Sequence, residues 1–182
     1  AFDDSARLVL GLLQRNPGNL PALEQLASVL GDAGDADRLA PVVARLRMEA
    51  PQSATTHYYA ATLAYLQQRP DIAIREAEAA IAADGAHAKA QNVLGASFAG
   101  IGQRERARAA FNASLQSDPH DPATYSNLAT LEMEAGNFPQ ARRYFAEALT
   151  LDPTNEIARQ GLATALAQRE GIILVLDASD GK

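Results

Sequence analysis

Three histidines are the side chains best suited to metal binding or acid–base chemistry, because the chain contains no cysteine. His87 and His120 lie in predicted turns, with Asp84, Asp118 and Asp121 close to them in the sequence. Histidine and carboxylate groups together can hold zinc. Exposed histidines in turns are more often solvated than bound to a metal, so we expect no metal site.

Three other short motifs point to chemistry only superficially. The glycines of residues 95–102 resemble a phosphate-binding loop, but no Gly-Lys-Ser/Thr follows them. Asn112 and Ser114 have the spacing of a glycosylation site, yet they lie within a predicted helix. The acidic residues of 177–181 lack the ligand spacing of an EF-hand. No nucleophile has a base and an acid at a suitable spacing, so we expect neither catalysis nor a cofactor.

The composition indicates which elements must carry these residues. Of the 182 residues, 47% are hydrophobic and only 5% are aromatic, and alanine is abundant. Alanine has the highest helix propensity of the amino acids, and its small side chain lets helices approach closely. The chain is therefore predicted to be all-α.

Charge and hydropathy narrow the class of partner. The chain has 16 basic and 22 acidic residues, a formal net charge of -6, and this balance disfavours nucleic acid. There is no long apolar run, so we expect no membrane span. The excess of 14 arginines over 2 lysines favours a bacterial source. We expect a soluble protein of the cytoplasm or periplasm, and the compartment stays open.

A 34-residue repeat is the strongest pattern in the sequence. One column of residues at this spacing contains Pro17, Pro51, Gly85, Pro119 and Pro153. A second contains Gly34, Gly102 and Gly136, with Gln68 in the remaining position. A third column is aliphatic and contains Leu26, Ala60, Leu94, Leu128 and Leu162. The column next to it is small and contains Ala27, Ala61, Gly95, Ala129 and Ala163. A fixed period without insertions is typical of a solenoid.

The repeat resembles the tetratricopeptide family, and residues 121–155 are the best copy. The residues of that copy that match the family signature are Tyr125, Leu128, Ala129, Gly136, Ala141, Phe145, Ala148 and Pro153. Glu132 departs from the signature, which usually has an aromatic residue there. The resemblance implies a right-handed α-α superhelix of helix-turn-helix repeats, a non-enzymatic scaffold for binding proteins.

The register divides the chain into a tetratricopeptide array, residues 1–170, and a tail, residues 171–182. Within the array we expect a half repeat at 2–19, full repeats at 20–53, 54–87, 88–121 and 122–155, and an extra helix at 156–170. Because a half repeat is a poor start for a solenoid, we expect further repeats before Ala1 in a parent protein. The apolar run 172–176 of the tail predicts an extended segment.

The family resemblance also implies a binding surface, the concave groove lined by the first helix of each repeat. The groove residues predicted in this way are Tyr58, Tyr59, Thr62, Tyr65, Lys89, Asn92, Ser126, Asn127 and Thr130. The expected ligand is a protein or peptide partner. One subclass of the family holds a chaperone's C-terminal carboxylate with basic groove residues. Here Lys89 is the only basic groove residue, so we expect no such carboxylate clamp.

Two other functions stay open at this point. Tetratricopeptide arrays also occur as arms of larger enzymes, such as glycosyltransferases, sulfotransferases or kinases, and the chain could be such an arm. It could also self-associate, through residues 171–182 or through exposed terminal helices.

Overall fold

The structure is a computed structural model that describes the backbone of residues 12–179 and the side chains of residues 12–168. No strand occurs in this range. A short helical segment, α1, covers residues 12–15. The helices that follow are α2 (Leu20–Asp32), α3 (Ala36–Glu49), α4 (Ala54–Leu66), α5 (Pro70–Ala83), α6 (Ala88–Gly100), α7 (Arg104–Ser117), α8 (Pro122–Glu134), α9 (Phe138–Leu151) and α10 (Glu156–Ser179). The predicted half repeat at 2–19 lies mostly outside the described residues.

Polar side chains cap the starts of α2, α3, α6 and α8, and left-handed residues follow the first helix of the pairs that begin with α2, α4, α6 and α8. Asn19 caps α2 by accepting a hydrogen bond from the Ala22 amide at 3.0 Å, and Asp121 accepts from the amides of Ala123 and Thr124 at the start of α8. Such caps satisfy amides that have no partner within the helix. Gly136 follows α8 with a φ of 75°, a conformation that glycine adopts without steric cost. The sequence column of glycines therefore marks the turns inside the helix pairs.

Small side chains let the two helices of a pair pack closely. Ala129 of α8 and Ala141 of α9 are both fully buried, and Phe145 fills the space beside them. In the pair α6–α7, Gly95 lies against the Phe111 ring, so that an added Cβ would come within 2.5 Å of a ring carbon. Close packing of this kind explains why the column contains only alanine and glycine.

Successive pairs stack on their nearest neighbours. Each first helix contacts the first helix of the next pair: α2 with α4, α4 with α6, α6 with α8 and α8 with α10. Among the described residues, the backbones of the second helices α3, α5, α7 and α9 do not pack on one another. Only long side chains connect them, as in the ion pair of Arg47 with Glu76 at 2.9 Å. The stack therefore curves, with the first helices on its inner side. The fold is an all-α solenoid, as predicted.

The prediction of an extended segment at 172–176 was wrong. The helix α10 continues without a break from Glu156 to Ser179. Once a helix is nucleated, each added residue gains a backbone hydrogen bond without a new nucleation cost. The helix propensity of isoleucine and valine is only modestly lower than that of leucine, so a β-branched run after an existing helix does not end it.

Candidate functional site

The inner side of the curved stack is the surface most able to hold a ligand. Four first helices, α2, α4, α6 and α8, form its wall, because their backbones pack on one another while those of the second helices lie farther apart on the outside. We call this surface the concave groove. Curved solenoids use such extended concave surfaces for binding, and all nine predicted groove residues lie on α4, α6 or α8.

A cluster of aromatic rings lies at the start of the groove face of α4. The rings of Tyr58 and Tyr59 have their centroids 4.8 Å apart, and the Tyr58 ring lies 5.1 Å from that of His87. Burial raises the pKa of Tyr58 to about 12, with a hydrogen bond from Thr62 opposing the shift. Burial also lowers the pKa of His87, with Asp84 opposing that shift. Both rings are therefore uncharged, hydrogen-bonding groups near neutral pH.

Two of the predicted groove residues are buried rather than available at the surface. Tyr59 packs into the core between the first two pairs, and desolvation raises its pKa. Ser126 is buried and donates to the Pro122 carbonyl at 3.0 Å, while it accepts from Asn155 at 3.1 Å. Tyr65, Lys89 and Thr130 are exposed, and Tyr58, Thr62, Asn92 and Asn127 are half-buried. Whether these residues contact a ligand stays a prediction.

Side-chain amides bridge the groove between α6 and α8. The Asn127 amide nitrogen donates to the Asn92 amide oxygen at 2.8 Å. This bond leaves the Asn92 nitrogen and the Asn127 oxygen without a partner among the described residues. The neighbouring Thr130 hydroxyl donates to the Ser126 carbonyl at 2.9 Å. The centre of the groove thus presents uncharged donors and acceptors.

Charge is distributed unevenly between the two sides of the stack. The second helices α3, α5, α7 and α9 carry nine arginines, whereas Lys89 is the only lysine or arginine on α2, α4, α6 and α8. The groove helices also carry acidic residues, among them Asp32 and Glu134, which are exposed. A groove with so few basic groups is poorly suited to a polyanion.

At the other end of α4 from the tyrosine cluster, a cleft opens near the carboxyl ends of α4 and α6. Its volume is about 470 Å³, and its lining includes Tyr65, Leu66, Ala96, Ser97 and Gly100. A second cleft of about 210 Å³ continues it toward α8 and shares Tyr65, Ala96 and Gly100. The Tyr65 side chain between them is 45% exposed. The groove residues predicted from the sequence include Tyr65 but not Ser97 or Gly100. Only a comparison of α6 with the equivalent positions of α4 and α8, 34 residues away, could have found these two.

Among the described residues, no helix has both the length and the apolar character needed to cross a membrane. A curved stack of helix hairpins with a groove of uncharged and aromatic side chains defines a class of protein, the α-solenoid scaffold. Two family models, both described as tetratricopeptide repeat, match residues 58–122 and 122–155. The two matches together span more than half of the chain, and the chain belongs to the tetratricopeptide repeat family. Proteins of this family are typically non-catalytic scaffolds for interactions between proteins.

Solved structures show the same fold at low sequence identity. A thermophilic TPR protein of Thermus thermophilus is 20% identical, with a TM-score of 0.75 over 92% of this chain and 100% of that one. In the APC/C hetero-tetramer Cut9–Hcn1, the matching chain is 19% identical, with a TM-score of 0.80 over 92% of this chain and 32% of that one. The protein MamA is 22% identical, with a TM-score of 0.59 over 84% and 89% of the two chains. None of the curated proteins matches the chain in sequence.

Proposed function

We propose that the chain binds a segment of a partner protein in the concave groove, in an extended conformation. The observation that carries this proposal is the pair Asn92–Asn127 at the centre of the groove. Its free amide nitrogen and its free amide oxygen lie on adjacent helices, joined by the 2.8 Å hydrogen bond. A peptide unit offers one acceptor and one donor, so the pair is complementary to the main chain of an extended segment.

Aromatic residues of α4, the groove helix beside this pair, support the proposal. The Tyr58 ring packs against His87 at an angle of 37°, and Tyr65, about two turns further along α4, is 45% exposed. Tyrosine provides a large, rigid contact area at low entropic cost, together with a hydroxyl group. Main-chain recognition by the amides and side-chain recognition by the tyrosines would then act on the same bound segment.

A displayed library of random 12-residue peptides, selected on the immobilised chain, tests this proposal. The enriched peptides are labelled, and their affinities are measured by fluorescence polarisation. Loss of a central anchor costs about 2 kcal/mol, or roughly 30-fold in affinity, so we expect this loss in Tyr65→Ala and in Asn127→Ala. Met48→Ala is the matched control, because Met48 is exposed on the second helix α3. Peptides that bind both groove variants as tightly as the unaltered chain would contradict binding in the groove.

The length of α10 favours a second role, self-association through residues 171–182. The helix has 24 residues, whereas the preceding first helix α8 has 13. Its last eleven residues thus extend about 16 Å past the register of α8, at 1.5 Å per residue. The test is the mass in solution of a chain that lacks residues 171–182.

A further inference from the structure

The cleft at the carboxyl ends of α4 and α6 is specific to one position in the stack. In the repeat register, Ser97 of α6 corresponds to Leu63 in α4 and to Leu131 in α8. Gly100 likewise corresponds to Leu66 and to Glu134. Large side chains occupy these positions in the neighbouring first helices, and their absence from α6 leaves the space of about 470 Å³. We call this space the α6 notch.

The volume and lining of the α6 notch suit one bulky apolar side chain. Pockets that hold small ligands measure about 300–1,000 Å³ and are mostly apolar with few polar groups. The exposed ring of Tyr65 forms one wall, and Leu66 and Ala96 contribute further apolar surface. An added Cβ at Gly100 meets no atom within 4 Å, so the space above this residue is open.

Opposite charges lie at the two ends of the cleft. Arg69 lines the notch on the side of the turn between α4 and α5. Glu134 lines the continuation of the cleft beside α8. Neither side chain forms an ion pair within the part of the chain that the structure describes. The Arg104 guanidinium donates only to the main-chain carbonyl of Glu134, at 3.4 Å.

From this arrangement we infer that the α6 notch binds an apolar anchor of a partner's extended segment, one with an acidic residue on one side of the anchor and a basic residue on the other. The acidic residue pairs with Arg69 and the basic residue with Glu134, and the anchor packs against Tyr65. Complementary charges of this kind fix the position and specificity of a bound segment more than its affinity. This inference rests on the proposed groove function and adds the chemistry of the partner.

The decisive variant is Gly100→Leu. It fills the notch with a leucine, the residue type that α4 has at the equivalent position, Leu66. Because the space above Gly100 is open and leucine favours helix more than glycine does, we expect the melting temperature to stay the same or rise. Affinity for the library-selected 12-residue peptides should fall at least tenfold. Gly85→Leu is the matched control, because an added Cβ at Gly85 also meets no atom within 4 Å, and this turn lies outside the notch.

Exchanging the two charges tests, independently of the notch volume, on which side of the apolar anchor the acidic and the basic residue of the bound segment lie. The double variant Arg69→Glu, Glu134→Lys should bind the selected peptides at least tenfold more weakly, and peptides with their acidic and basic residues exchanged should recover most of the loss. Enriched peptides without a shared apolar residue, or equal affinity for the unaltered chain and Gly100→Leu, would overturn the inference. If Asn127→Ala weakens binding while Gly100→Leu does not, the notch assignment fails and the groove function stands.

Discussion

At the scale of single residues, Gln68 is the clearest departure from the repeat. It occupies the position of Gly34, Gly102 and Gly136, and it adopts the same left-handed backbone with a φ of 57°. This conformation costs a residue with a Cβ roughly 1–2 kcal/mol. A glycine would avoid that cost, although its greater freedom in the unfolded chain offsets part of the gain.

We therefore predict that Gln68→Gly stabilises the protein by about 0.5–1 kcal/mol. The measurement is the free energy of unfolding in urea, with circular dichroism as the probe. Gly102→Ala is the opposite control, since it puts a Cβ on a residue with a φ of 75°, and it should lose about 1 kcal/mol. A loss of stability in Gln68→Gly would show that the glutamine side chain makes a compensating contact.

At the scale of helices, a buried carboxylate joins two neighbouring pairs. Glu132 of α8 is 1% exposed at the position where the family signature has an aromatic residue. Arg108 of α7 forms an ion pair with it, and the Asn137 amide donates to it at 2.8 Å. The carboxylate is thus satisfied from the preceding pair and from the turn after its own helix, which explains how this departure is tolerated.

Removing Arg108 alone should lower the free energy of unfolding more than removing Arg108 and Glu132 together. Arg108→Ala leaves Glu132 buried with only Asn137 as a partner, and loss of one member of a fully buried pair costs about 3–5 kcal/mol. Because the Arg108 side chain is partly exposed, we expect about 2 kcal/mol, measured by urea unfolding. The double variant Arg108→Ala, Glu132→Leu should recover most of the stability that Arg108→Ala loses. Equal instability of the single and double variants would mean that the carboxylate is not the cause.

The sequence predicted the helix pairs well because their signals are local and periodic. Proline and glycine at 34-residue spacing fix the turns, and the alanine column fixes the faces that pack. The α6 notch was not predicted, because it arises from side chains missing from one helix relative to two others. Tyr59 and Ser126 were assigned to the groove by register alone, and register does not separate a surface position from a contact between neighbouring helices. The tail was misjudged because an apolar run suits a strand and a buried helix equally.

At the scale of the whole molecule, the contacts of each helix are limited to its own pair and the next one. A solenoid of this kind buries its core by stacking, so its terminal helices need either a polar outer surface or a further partner. The helix α10 extends beyond the register of α8, where no first helix of the described chain accompanies it. Residues Ile172 to Leu176 of this extension are five consecutive apolar residues.

A run of five apolar residues does not follow the 3.6-residue period of a helix that buries one face, so the sequence pattern is that of a helix covered on several sides. Apolar segments that lack a covering partner favour association between chains. We predict that the mass in solution of the full chain, measured by light scattering, rises above 19.3 kDa with concentration. A chain without residues 171–182 should stay monomeric, while Met48→Asp, which removes another exposed apolar residue, should associate like the full chain. The same dependence of mass on concentration with and without residues 171–182 would exclude association through this segment.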